Sequence, residues 1–84
     1  MNDRNETEQT AYDYGKYVAR RENAAHGNIQ YFDSLNETCK ALWLKLIDLG
    51  AYKDADASEF KPEYREHYYA GMDTIPIRRY GRYG

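Results

Sequence analysis

The stretch from Ile29 to Leu49 limits this chain most, because it holds ten of its sixteen Val, Ile, Leu, Met, Phe, Trp and Cys residues. On a helix of 3.6 residues per turn, Tyr31, Phe32, Leu35, Cys39, Leu42, Leu46 and Leu49 fall in one continuous sector, which predicts a single central helix over 29–49. Asn28 is a favoured N-cap for it, and Gly50 can end it in the left-handed conformation without a Cβ penalty. Ser34-Leu35-Asn36-Glu37 is a competing capping-box pattern; it would start the helix at Ser34 and leave 29–33 as a turn or a short separate helix. The unbroken stripe favours one helix.

The flanking segments are thinner. Residues 1–7 lack any large apolar side chain after Met1 and are expected to fray. From 8 to 25, Ala11, Tyr14, Val18 and Ala25 follow helical spacing, with Arg21 on the flank of the stripe. Small residues and Gly15 make this a helix that holds only by close packing on something larger, and the central segment is the expected support. Gly27 suits a left-handed helix end, and His26 beside it is favoured there by the helix dipole. Residues 51–60 read as an acidic connector. Pro62 then opens a third helix over 62–71, with Tyr64, His67, Tyr68, Gly71 and Met72 on one face and Gly71 as its end. No internal repeat is convincing, although both flanking helices pair clustered tyrosines with a glycine: Tyr12, Tyr14 and Gly15, then Tyr68, Tyr69 and Gly71. Residues 74–84 change character to an extended tail in which Arg78, Arg79 and Arg82 interleave with Tyr80, Tyr83 and glycines.

The expected fold is therefore all-α, one small three-helix domain. Its core is thin: Leu, Ile, Val and Phe number 12 of 84 residues, well under the ~20% below which disorder competes. The 12 basic residues nearly cancel 14 acidic ones, however, so charge does not force the chain open. The ten tyrosines supply part of the missing burial, each hiding a ring while its hydroxyl stays at a polar edge. The lone Cys39 excludes an intramolecular disulfide, and no apolar run reaches the ~20 residues of a membrane span, so a cytoplasmic protein without a membrane partner is expected.

Neither a nucleophile with its base, nor paired carboxylates, nor metal-ligand spacing stands out, and no cofactor or metal is expected. Cys39 on the apolar stripe reads as a small core hydrophobe, and His67 as a hydrogen-bonded structural histidine. Gly81 and Gly84 follow no strand and open no helix, so no phosphate loop is present. The chain is read as a non-enzyme that acts by contact. Tyrosine gives rigid contact area at low entropic cost, and Tyr12 and Tyr69 point away from the inner faces of their helices. Leu44 lies almost opposite Leu35 and Leu46, while Trp43, Ile47 and Ile29 widen the stripe beyond what two thin neighbours cover.

The expected contact set is Tyr12, Trp43, Leu44, Tyr69 and the connector acids Asp54, Asp56 and Glu59. The partner is a host protein or a second copy of the chain, as a homodimer. A compact, charged, cysteine-poor chain suits a phage or mobile-element inhibitor of a host machine. The alternative is a nucleic-acid-binding accessory protein using Arg78, Arg79, Tyr80, Arg82 and Tyr83, which could contact phosphates and stack on unpaired bases. The acidic body opposes that. Its carboxylates, Asp54, Asp56, Glu59, Glu63 and Glu66, are in turn too sparse for a nucleic-acid mimic.

Overall fold

Asn5 starts the first helix. Its side chain accepts the Glu8 N–H at 2.8 Å while Glu8 Oε1 accepts the Asn5 N–H at 3.0 Å, a reciprocal pair that satisfies two donors and opens α1, Glu6–His26. The computed structural model describes residues 4–27 and 29–76. Within them the chain is all-α, with α1 followed by a 3-10 turn at Ile29–Tyr31, α2 at Phe32–Asp48 and α3 at Pro62–Asp73. The expected roles of Asn28, of the His26 side chain and of residues 78–83 lie outside the described residues and atoms.

Several boundaries differ from expectation for identifiable reasons. Glu6 and Thr7, expected to fray, are helical because the Asn5–Glu8 box closes the first turn. Arg4 is also tied down, its Nε donating to His67 Nδ1 at 3.1 Å. The central helix is not continuous over 29–49. The tighter 3-10 turn precedes it, and Tyr31 serves as its N-cap without any side-chain hydrogen bond, so the Ser34 capping pattern is unused. Gly27 ends α1 at φ −140°, outside the left-handed region, whereas Gly50 adopts φ +74° after α2 as expected. Helix α3 begins at Pro62 but runs past Gly71 to Asp73.

The larger correction concerns which helix is central. Both α2 and α3 pack on α1, while the backbones of α2 and α3 do not approach each other. The reason is residue size. Ala11, Gly15, Val18 and Ala19 are all buried on α1, so its surface lets two other backbones come close. Ala25, expected on that stripe, is instead exposed near the end of the helix.

The α1–α3 contact is the more extensive, and two glycines define it. A Cβ added to Gly15 would overlap the Tyr68 carbonyl oxygen and lie 3.1 Å from the Met72 nitrogen. A Cβ on Gly71 would overlap the Tyr12 carbonyl oxygen and lie 3.1 Å from the Lys16 nitrogen. Each glycine thus fits against the residues three before and one after the other. The crossing is a local two-fold in which Tyr12-x-x-Gly15-Lys16 meets Tyr68-x-x-Gly71-Met72. At each glycine a Cα–H points at the opposing carbonyl, a contact worth about 0.5–1 kcal/mol. That offsets the ~1 kcal/mol by which a mid-helix glycine is less favourable than alanine. Gly71 is therefore a crossing residue rather than a terminator.

Against α1, the stripe of α2 buries Cys39 and Leu46, the largest fully buried side chains, and complete burial of the leucine contributes roughly 1.5–3 kcal/mol. The connector 51–60 is more than a solvated acidic link. Lys53 N–H donates to the Glu59 carbonyl at 2.8 Å and Lys61 N–H to the Ala51 carbonyl at 3.0 Å, around an isolated antiparallel bridge between Tyr52 and Phe60. This closes the connector into a loop that buries Ala51, Ala57 and Phe60. Ala11, Leu46, Ala51 and Phe60 form the core cluster, with Tyr14, Tyr52, Tyr64 and Tyr68 packed around it.

Candidate functional site

Because α2 and α3 diverge from a shared seat on α1, they leave a wedge between them, and the 51–60 loop walls one side. The result is a groove of about 360 Å3 lined by Tyr14 of α1, Trp43 of α2, Arg65, Tyr68 and Tyr69 of α3, and Tyr52 and residues 57–60 of the loop. Its aromatic wall is continuous. Phe60 stacks on Tyr52 at 4.7 Å between centroids and packs against Tyr68 at 5.0 Å; Tyr68 reaches Tyr14 at 5.6 Å and Tyr69 at 5.4 Å. Pairs of this kind contribute about 0.5–1.5 kcal/mol each beyond their buried area, which makes the wall rigid.

The loop is held by Asp54 and Trp43. Asp54 carboxylate oxygens accept the Ser58 N–H at 3.2 Å and the Ser58 hydroxyl at 2.7 Å, and the Asp54 carbonyl accepts the Ala57 N–H at 3.1 Å. Those Ser58 hydrogen bonds hold the Asp54 carboxyl below the usual carboxylate range. Ala57 takes a left-handed φ of +52°, and its carbonyl accepts the Trp43 indole N–H at 3.3 Å. The indole is thereby fixed along the groove edge with its polar atom satisfied.

Burial pushes the phenols of Tyr14, Tyr68 and, furthest, Tyr52 up from their ordinary value, and it pushes up the Cys39 thiol as well. All four are neutral at neutral pH. The Tyr52 hydroxyl is buried without a hydrogen-bond partner. Among the described residues no group of His, Cys, Asp and Glu could hold a metal ion, and no helix is long and apolar enough to cross a membrane. His67 is spoken for by Arg4 at Nδ1 and by Glu8, 3.7 Å from Nε2, which ties α3 to the start of α1.

Of the contact residues expected from sequence, the structure brings Trp43, Tyr69 and Glu59 to the groove. Tyr69 is 54% exposed, and Glu59 pairs loosely with Lys53 at 3.9 Å. Leu44 (51%) and Ile47 (42%) stand in solvent on the outer side of α2, with Ile47 one turn from Trp43, so an apolar ridge continues out of the groove. Asp56 is exposed, whereas Asp54 is engaged in fastening the loop. Tyr12 is corrected: it is half-buried, covered by the Arg4 guanidinium 3.9 Å from its ring centroid. Sequence reasoning missed Tyr52 and Arg65 and left Tyr14 as a core residue. The signal that could have found them was the pair of tyrosine-glycine clusters, which mark the crossing from which the wedge opens. No family model, curated protein or solved structure matches the chain.

Proposed function

We propose that this chain is a non-enzymatic protein-interaction module that engages a protein partner through the α2–α3 groove and the Leu44–Ile47 ridge beside it. The observation that carries the reading is the continuity of exposed apolar surface: Leu44 and Ile47 lie in solvent on α2 next to Trp43, which walls an aromatic groove. A tryptophan held by its indole N–H and tyrosines around a recess are side chains of the kind that dominate binding hot spots, and an adjoining leucine-isoleucine ridge extends that surface. A second copy of the chain is one partner such a surface accepts. A small cytoplasmic inhibitor of a host machine, of the kind phages and mobile elements make, is a role in keeping with the size and the reduced, buried Cys39.

The test is affinity capture from native lysate of the cells that make the protein, comparing it with a Leu44→Ser, Ile47→Ser variant, and light scattering of both. A protein or a self-dimer retained by the parent and lost in the variant is expected. Identical captured sets together with a monomer in both cases would contradict the reading.

A further inference from the structure

Beside the groove lies a smaller recess of about 210 Å3, lined by Tyr14, Arg21, Asn36, Cys39, Lys40 and Trp43. Tyr14 and Trp43 line both spaces, so the two adjoin at these rings, with the indole at their junction. We infer that the recess is a carboxylate-binding site, and that the partner segment entering these spaces carries an acidic side chain next to an aromatic or aliphatic one. The inference rests on the protein-binding reading above and names the chemistry of the partner.

Three observations support it. The lining holds Arg21 and Lys40 but no acid. Among the described residues neither cation forms an ion pair, although Lys45 pairs with Glu6 at 3.3 Å and Lys53 with Glu59 at 3.9 Å. Arg21 is half-buried, and its hydrogen bond goes from Nη1 to the neutral amide oxygen of Asn36 at 2.9 Å. A guanidinium has five N–H donors in a planar fork, so most of this fork stays available, oriented by Asn36 and matched in shape to a carboxylate. The neutral Tyr14 phenol is a further O–H donor, and the Cys39 side lowers the local dielectric, which strengthens any ion pair made there.

Charge selects a carboxylate over a phosphate chain. The larger space beside the recess is edged by Glu59, with Asp54 and Asp56 exposed on the same loop, and the whole chain carries −2. A run of phosphodiesters would meet that acidic loop on leaving the recess, whereas an apolar peptide side chain passes into the aromatic groove.

Trp43 is the single tryptophan, so its emission reports directly on the junction. The experiment titrates the full chain with the capped tetrapeptide Gly-Phe-Asp-Gly, its Gly-Phe-Asn-Gly counterpart and a ten-residue oligothymidylate. The Asp peptide is expected to shift the emission saturably and to bind about tenfold more tightly than the Asn peptide. Arg21→Gln and the exposed Lys40→Gln should each remove most of that difference with the far-ultraviolet spectrum unchanged. Equal binding of the two peptides, no response to the Asp peptide, undiminished discrimination in both variants, or tighter binding of the oligothymidylate overturns the inference. Equal binding of the peptides would leave the protein-interaction reading standing. That reading fails separately, through the Leu44→Ser, Ile47→Ser capture, because neither residue lines the recess.

Discussion

Gly71→Ala is a sharp test of the packing, because two general effects of opposite sign meet at this residue. In an exposed helix interior, glycine to alanine stabilises by roughly 1 kcal/mol. Here the new Cβ would overlap the Tyr12 carbonyl oxygen, a backbone atom that cannot rotate away, so α1 and α3 must separate. Overpacking of this kind costs about 1–3 kcal/mol, and loss of the Cα–H contact adds about 0.5–1 kcal/mol. The backbone contact places this site at the upper end, which leaves a net loss of about 2.5–3 kcal/mol after the propensity gain. With a urea m-value of about 1 kcal/mol/M for a small domain, the midpoint should fall by roughly 2.5–3 M, read by circular dichroism or Trp43 emission. Gly15→Ala should behave alike. The double variant should lose less than the sum, by about 1 kcal/mol, since helices already separated by one Cβ accommodate the second. A midpoint that rises for Gly71→Ala, or strict additivity in the pair, would refute the reciprocal crossing.

Other consequences are simpler to state. Asn5→Ala removes the capping box and should lower stability by about 1 kcal/mol in urea titration, with loss of helix at the start of α1. Tyr52→Phe removes a buried hydroxyl that has no partner, and should raise the urea midpoint by an amount equivalent to about 1 kcal/mol. Burial raises the folded-state pKa of Tyr14, Tyr52 and Tyr68 above an unfolded value near 10, so the folded chain holds those protons more tightly. Their contribution is intact below about pH 10 and is lost as pH rises beyond it; urea midpoints taken between about pH 8 and 11 should fall steeply at the top, and less steeply for Tyr52→Phe.

The readable parts of the fold were those carried by large apolar side chains. The stripe from Phe32 to Leu49 announced α2, Gly50 its end and Cys39 its buried side, because period and burial leave a strong mark when leucines carry them. The role of α1 as common seat was hidden, since Ala11, Gly15 and Ala19 contribute little hydrophobic signal yet allow the closest approach. A glycine that ends a helix and a glycine that lets two helices cross look identical in sequence, which is why Gly71 was misplaced. The 51–60 loop was obscured by its acids; Ala51, Ala57 and Phe60 are buried through a bridge and an Asp54–Ser58 fastening that no periodicity encodes. The groove draws on four separated segments, so only its most conspicuous members, Trp43 and Tyr69, were visible in advance. Arg21 was placed on the flank of its helix, but its recess exists only once α2 is laid against α1.

Photo-crosslinking locates the contact most directly. A benzophenone amino acid is placed at Leu44, at Tyr69 or, as a control outside the groove and its ridge, at exposed Glu22. In native lysate the Leu44 and Tyr69 chains should yield the same adduct, to one protein or to a second copy of this chain, and the Glu22 chain none. Adducts formed equally from Glu22, or absent from both Leu44 and Tyr69, would contradict a partner seated on the groove and its ridge.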